Sequence, residues 1–158
     1  MDPLGNDTAA GVTVILLAYL GLIVVILLVQ YVLTGITLGM FFVKVGVSRG
    51  IAWVPIYNHW TWLKVGGQPG AIALLYLTPA SIVARVFEVL GMYRSDIAFR
   101  KDSVWVVLGI FLPWLWCILL AQPHERYEPE LLAAAGYPPP MAGYGSPGYG
   151  AARQQPTT

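Results

Sequence analysis

Charge is what this chain has least of. Charged residues make up 11% of its 158 positions, less than half of the roughly 25% found in soluble domains, so a hydrated surface on all sides is excluded. Lys and Arg number nine and Asp and Glu eight, for a net charge of +1, and no basic cluster is longer than Arg100-Lys101. That removes the electrostatic footprint a nucleic-acid partner requires. The one cysteine, Cys117, lies in an apolar run; an intramolecular disulfide and a thiolate cluster are both ruled out, and it reads as a small packing residue. The two histidines, His59 and His124, stand far apart with no carboxylate between them in a metal-ligand spacing. There is no phosphate-binding loop, no dinucleotide glycine motif and no nucleophile elbow. No cofactor, metal or catalytic set is expected, and the chain does not read as an enzyme.

Apolar residues, by contrast, supply 57% of the sequence, and the mean hydropathy is +0.65. These values predict an all-α integral membrane protein in a plasma or inner membrane, with the lipid bilayer as its first partner. Residues 1–11 form an extramembrane arm that carries Asp2 and Asp7 but no basic residue. It therefore lacks the n-region of a secretory signal, and the apolar run that follows reads as a retained anchor. From 12 to 36 the only polar side chains are Thr13, Gln30 and Thr34, more than the roughly 20 apolar residues a crossing needs. Residues 37–50 bring Lys44 and Arg49, with glycines expected to interrupt any long helix.

The run 51–65 is mostly apolar on every side of a helical wheel, as for an inserted element; an interfacial helix would show one charged face. It is short enough to be tilted or half-crossing, and Pro55 opens its start. Two further spans are expected at 71–90, broken by Pro79, and at 104–121, kinked at Pro113. The membrane domain at 12–121 is thus a bundle of three clear transmembrane helices plus one short membrane-embedded helix. A polar juxtamembrane segment occupies 122–135. From 136 to 158 the Pro/Gly/Tyr-rich sequence reads as a disordered tail whose removal after Gly136 leaves stability unchanged. Counting Lys and Arg beside the spans places the N-terminus outside.

Polar, aromatic and conformationally special residues converge only in 53–70, WVPIYNHWTWLKVGGQPG. Trp53, Pro55, Tyr57, Asn58, His59 and Lys64 are its candidate structural or polar-path residues. Arg85 and Glu88 join them from the next segment as an i,i+3 pair, the kind of intramembrane charge that marks function unless it sits at the headgroups.

The stretch FFVKVGVSRGIAWVPIYNHWTWLKVGGQPG, the apolar run through Pro79 and FRKDSVWVVLGIFLPWLWCILLA together resemble an uncharacterised family of small bacterial multi-span membrane proteins. The matching positions are Trp53, Pro55, Tyr57, Asn58, Lys64, Gly67, Pro69 and Gly70. Ala80, Ser81 and Ile82 depart from the family pattern, so the polar partner expected for Asn58 is missing or replaced by Ser81. Some members of that family carry the label of signal peptidase I, which needs a Ser nucleophile, a Lys base and a soluble β-rich catalytic domain; no region here supplies that domain. The resemblance implies fold and location and leaves activity open. Two functions follow: a structural or accessory subunit of a membrane complex, with a protein partner or a second copy, or a minimal oligomeric transporter or channel in which Asn58, His59, Lys64, Arg85 and Glu88 line a polar path.

Overall fold

The computed structural model describes residues 3–140, and side chains from residue 10 onward. Among the described residues the chain is helical throughout, without a strand. It divides into two units, 1–33 and 34–158.

The first unit is the N-terminal part of one long helix, α1, Pro3–Lys44. Branched and straight-chain aliphatics surround it, and from Val12 to Val29 every large apolar side chain but the half-buried Ile23 is exposed. The stretch Ala10–Lys44 is the one helix among the described residues long and apolar enough to cross a membrane.

The second unit starts from the last turns of α1, where apolar periodicity becomes burial. Leu38, Phe41, Phe42 and Val45 are buried, and Phe41 lies at the centre, its ring 5.1 Å from Trp116, 6.2 Å from Phe99 and 6.3 Å from Trp62. Of the glycines expected to interrupt this helix, Gly39 does not, whereas Gly46, at φ +82°, ends it just past Lys44. Gly35 and Gly39, one turn apart, bare the helix backbone so that the returning chain packs closely: a methyl group at Gly35 would come within 2.8 Å of the Trp53 ring, and one at Gly39 within 2.9 Å of Arg49. That return is a 3-10 helix, Arg49–Trp53.

A turn through Pro55 and Ile56 follows, Ile56 being held at φ +63°, a left-handed conformation that a β-branched residue adopts only under constraint. Then comes α2, Tyr57–Val65. Gly66 and Gly67 turn the chain into a second 3-10 helix, Gly70–Leu77. The two elements, joined by that short turn, pack side by side, Trp60 touching Gly70 and the His59 and Tyr76 rings lying 4.5 Å apart.

The segment expected as one span at 71–90 is therefore two elements. Pro79 sits in the turn between the second 3-10 helix and α3, Ser81–Ala98. Helix α3 passes α2 so closely that a Cβ on Gly66 would lie 2.6 Å from the Gly91 Cα, and it stops at Arg100, whose φ of +56° makes a left-handed cap. The 104–121 segment is likewise divided, at Leu112, into α4, Trp105–Phe111, and α5, Pro113–Leu120. Pro113 is the first residue of α5, where its missing N–H costs nothing. This pair goes out and returns: Lys101 lies 4.7 Å from the Trp105 ring at the start of α4 and 2.6 Å from Glu125 just beyond α5.

The polar segment then folds back over the end of α3. Glu128 N–H donates to the Ala98 carbonyl, Arg100 pairs with Glu128, and α6, Glu130–Ala134, buries Leu132. Packing continues into the expected tail. The Tyr137 ring meets Tyr93 edge-on and lies 5.7 Å from the Arg94 guanidinium, and a Cβ on Gly67 would touch the Pro138 and Pro139 carbonyls. The tail that was expected as wholly disordered from 136 thus begins with docked residues; positions 141–158 lie outside the described residues.

Candidate functional site

The site is organised by one carboxylate. Glu88 lies on the buried face of α3, its side chain fully enclosed, and a charge there requires partners for both oxygens. Helix α2 supplies His59, whose Nδ1 contacts Oε1. The second 3-10 helix supplies Tyr76, whose hydroxyl donates to Oε2 at 2.7 Å. One turn earlier on α3, Arg85 Nη1 donates to the same Oε2 at 2.9 Å. A second Arg85 nitrogen, Nη2, donates to the Ile110 carbonyl at 3.3 Å, beside the break between α4 and α5. Four elements are therefore joined through Glu88 and Arg85, while the His59 and Arg85 side chains remain about a third exposed.

Of the residues singled out in the sequence, His59, Arg85 and Glu88 are brought together. Asn58 is adjacent but faces elsewhere: its Nδ2 donates to the Ala52 carbonyl at 3.3 Å, and its Oδ1 accepts the His59 backbone N–H at 2.7 Å. The polar partner expected at Ser81 is thus a backbone carbonyl instead, which an asparagine side chain reaches as readily as a hydroxyl. Pro55 holds the turn before α2, its carbonyl accepting the Tyr57 N–H. Trp53 packs on Gly35, Tyr57 is 42% exposed, and Lys64 extends over the Trp60 ring at 5.8 Å. Lys64 is at the opposite end of α2 from His59 and takes no part in the Glu88 cluster.

Tyr76 escaped sequence reasoning. The signal was present, because its hydroxyl is the only polar side-chain atom in 71–77, and a phenol in an apolar run needs an acceptor when buried. A second buried acid is Asp96, in the stretch 91–103 that reads in the sequence as a charged loop but is helical as far as Ala98. It lies fully buried in the last turns of α3, beyond the 71–90 segment, with Oδ1 accepting from Trp116 Nε1 at 2.8 Å and Oδ2 without a hydrogen-bond partner. Burial, opposed by the Trp116 hydrogen bond and by Lys101, pushes its pKa up to about 7. No group of three or more metal-ligating side chains occurs among the described residues.

Chemically, the Glu88 cluster is a closed set of charge-assisted hydrogen bonds. Both carboxylate oxygens are partnered, Oε1 by His59 and Oε2 by Tyr76 and Arg85, so its evident capacity is to fix the relative placement of α2, the second 3-10 helix, α3 and the α4–α5 break.

Comparison with curated proteins and with solved structures gave no match. A family model does match, over residues 51–129, which takes in every member of the Glu88 cluster and leaves α1 outside. The chain belongs to that family, described as a family of unknown function (DUF5684).

Proposed function

We propose that this chain is an integral membrane protein that serves as a structural or accessory subunit of a membrane complex. The observation that carries the reading is the closure of the Glu88 cluster. A minimal transporter would need His59, Arg85 and Glu88 to face a common aqueous path with Asn58 and Lys64. Here the first three face one another, Asn58 serves the backbone and Lys64 lies elsewhere. Such a set stiffens a bundle, and stiffness suits a part that holds others in place. Membrane residence is supported by α1 and by the exposed aliphatics of the second unit, Leu74, Leu77, Ile82 and Val86 among them, which together exceed what a soluble surface carries. With its N-terminus outside, α1 anchors the chain in the cell membrane.

The test is made in native membranes and in vesicles. Alkaline carbonate is expected to leave the protein in the pellet, and native electrophoresis after mild solubilisation to show it in an assembly larger than its own monomer. Proteoliposomes are expected to pass ions and protons no faster than empty ones. Flux that disappears with His59→Gln would replace this reading with transport, and release by carbonate would remove the membrane assignment itself.

A further inference from the structure

The second unit has two unlike ends. One end is charged: Lys44 donates to the Gln122 carbonyl, Arg94 to the Gly66 carbonyl, and Arg100 and Lys101 pair with Glu128 and Glu125. The other end is made of three turns, Val54–Ile56, Leu77–Ala80 and Phe111–Pro113. The Glu88 cluster gathers them, through His59, Tyr76 and the Ile110 carbonyl respectively. Turns at a water-facing surface are polar. These present large apolar side chains instead, with Leu77 70% and Phe111 77% exposed, joined by Ile82 in the first turn of α3 at 70%.

Their backbones are also suited to a place without water. Each turn holds a proline, Pro55, Pro79 or Pro113, which removes a donor where no solvent would satisfy it. Of the remaining groups, Ala80 N–H is taken by the Thr78 hydroxyl, Leu112 N–H by the Leu108 carbonyl, and the Ile110 carbonyl by Arg85. Arg85 and Glu88 are the charges the cluster brings to this end, and they are paired with each other.

Length agrees. Helix α2 rises about 14 Å and α4 about 11 Å, against about 30 Å of hydrocarbon, so neither pair of short elements can cross. Helix α3 is longer, about 27 Å, but only its part from Ser81 to Gly91, about 15 Å, lies between the apolar turns and the level where Gly91 meets Gly66 and Arg94 begins the charged end. Along α1, Gly35 beside Trp53 and Lys44 at the charged end are likewise separated by only about 14 Å. We infer that the unit beginning at Thr34 is a wedge inserted into a single leaflet, the one from which Lys44 emerges, with α1 as the complete crossing. The occupant of its apolar end is the acyl-chain region of that leaflet.

Charge distribution supports this placement independently. All nine Lys and Arg residues of the sequence stand at or after position 44, and none precedes it. A wedge keeps the loops from Lys44 onward on the cytoplasmic side, as the bias of basic residues requires. Four crossings would distribute the same charges between both sides.

The inference rests on the integral-membrane reading, and labelling of the full-length protein separates the two. Single cysteines are placed at Asp7, Ser103 and Glu130 in a Cys117→Ala background. An impermeant maleimide added to intact cells is expected to label Asp7→Cys alone, with Ser103→Cys and Glu130→Cys labelled only after permeabilisation. A fluorophore attached at Leu77→Cys or Phe111→Cys, after reconstitution, is expected to be quenched by brominated lipid. Labelling of positions 103 and 130 from opposite sides would overturn the wedge and leave the membrane reading standing. Same-side labelling with unquenched tips would also overturn it, by showing that a second copy or another protein covers them. Extraction of the unlabelled protein by carbonate would overturn the membrane reading as well.

Discussion

Glu88 shows how a single side chain can hold a small bundle. Its carboxylate is enclosed, and Arg85 beside it is neutralised by it, so removing one partner leaves an uncompensated charge. Breaking such a buried pair costs about 3–5 kcal/mol, whereas replacing both members by apolar residues costs less. Glu88→Leu is therefore expected to lower the melting temperature in detergent sharply, and the double variant Arg85→Leu, Glu88→Leu to recover part of the loss. Equal destabilisation by single and double variants would show that the pair is not the source. Asp96 provides a second test at this scale. Its ordinary value is 3.8 and its folded value about 7. A raised folded pKa means that the folded state holds the proton more tightly, so its contribution is complete below about 4 and is lost as pH rises through 7. Melting temperature is expected to fall between pH 5 and pH 8 in the wild type, and Asp96→Asn to flatten that slope.

Elements in this chain meet through glycines and a docked tyrosine more than through long interfaces. Gly66 faces the Gly91 backbone with no room for a Cβ. The neighbour is main chain and cannot swing aside. Gly66→Ala is expected to cost about 1–3 kcal/mol, read as a drop in melting temperature. Gly21→Ala, with nothing within 4 Å, is the matched control and is expected to change nothing. At the C-terminal end of the described chain, Tyr137 stacks edge-on with Tyr93 and lies against Arg94. Tyr137→Ala is expected to cost about 1 kcal/mol, from the lost ring and cation contacts. An unchanged melting temperature would return residues 137–139 to the status of an undocked tail.

For the whole molecule, the division of labour is between a long apolar helix and a compact unit whose two ends differ in polarity. The aromatic centre, Phe41 with Trp62, Phe99 and Trp116, ties the last turns of α1 to every helix pair in that unit. Phe41→Ala is expected to be the most damaging apolar truncation, at about 3–5 kcal/mol, measured as loss of monodisperse protein on solubilisation. The charged end should tolerate change far better: Arg100→Gln removes a pair in which the arginine is mostly exposed, and such pairs contribute about 0–1 kcal/mol.

Composition alone determined the helical class, the apolar α1 and the concentration of polar groups in 53–70 and at Arg85 and Glu88, because each of these follows from which side chains water excludes. The pairing of Arg85 with Glu88 was visible too, since i,i+3 spacing places both on one face. Tertiary structure decided the rest. A proline announces only a missing N–H; whether the chain kinks or turns at Pro79 and Pro113 depends on what receives the freed carbonyls, and at Ile110 the receiver is an arginine on another helix. A glycine announces only a missing Cβ; Gly35 and Gly39 lie within a continuous helix because Trp53 and Arg49 return to cover them. Tyr76 and His59 meet at Glu88 because two short elements pack side by side, an arrangement that hydropathy, which records burial without depth or direction, does not encode.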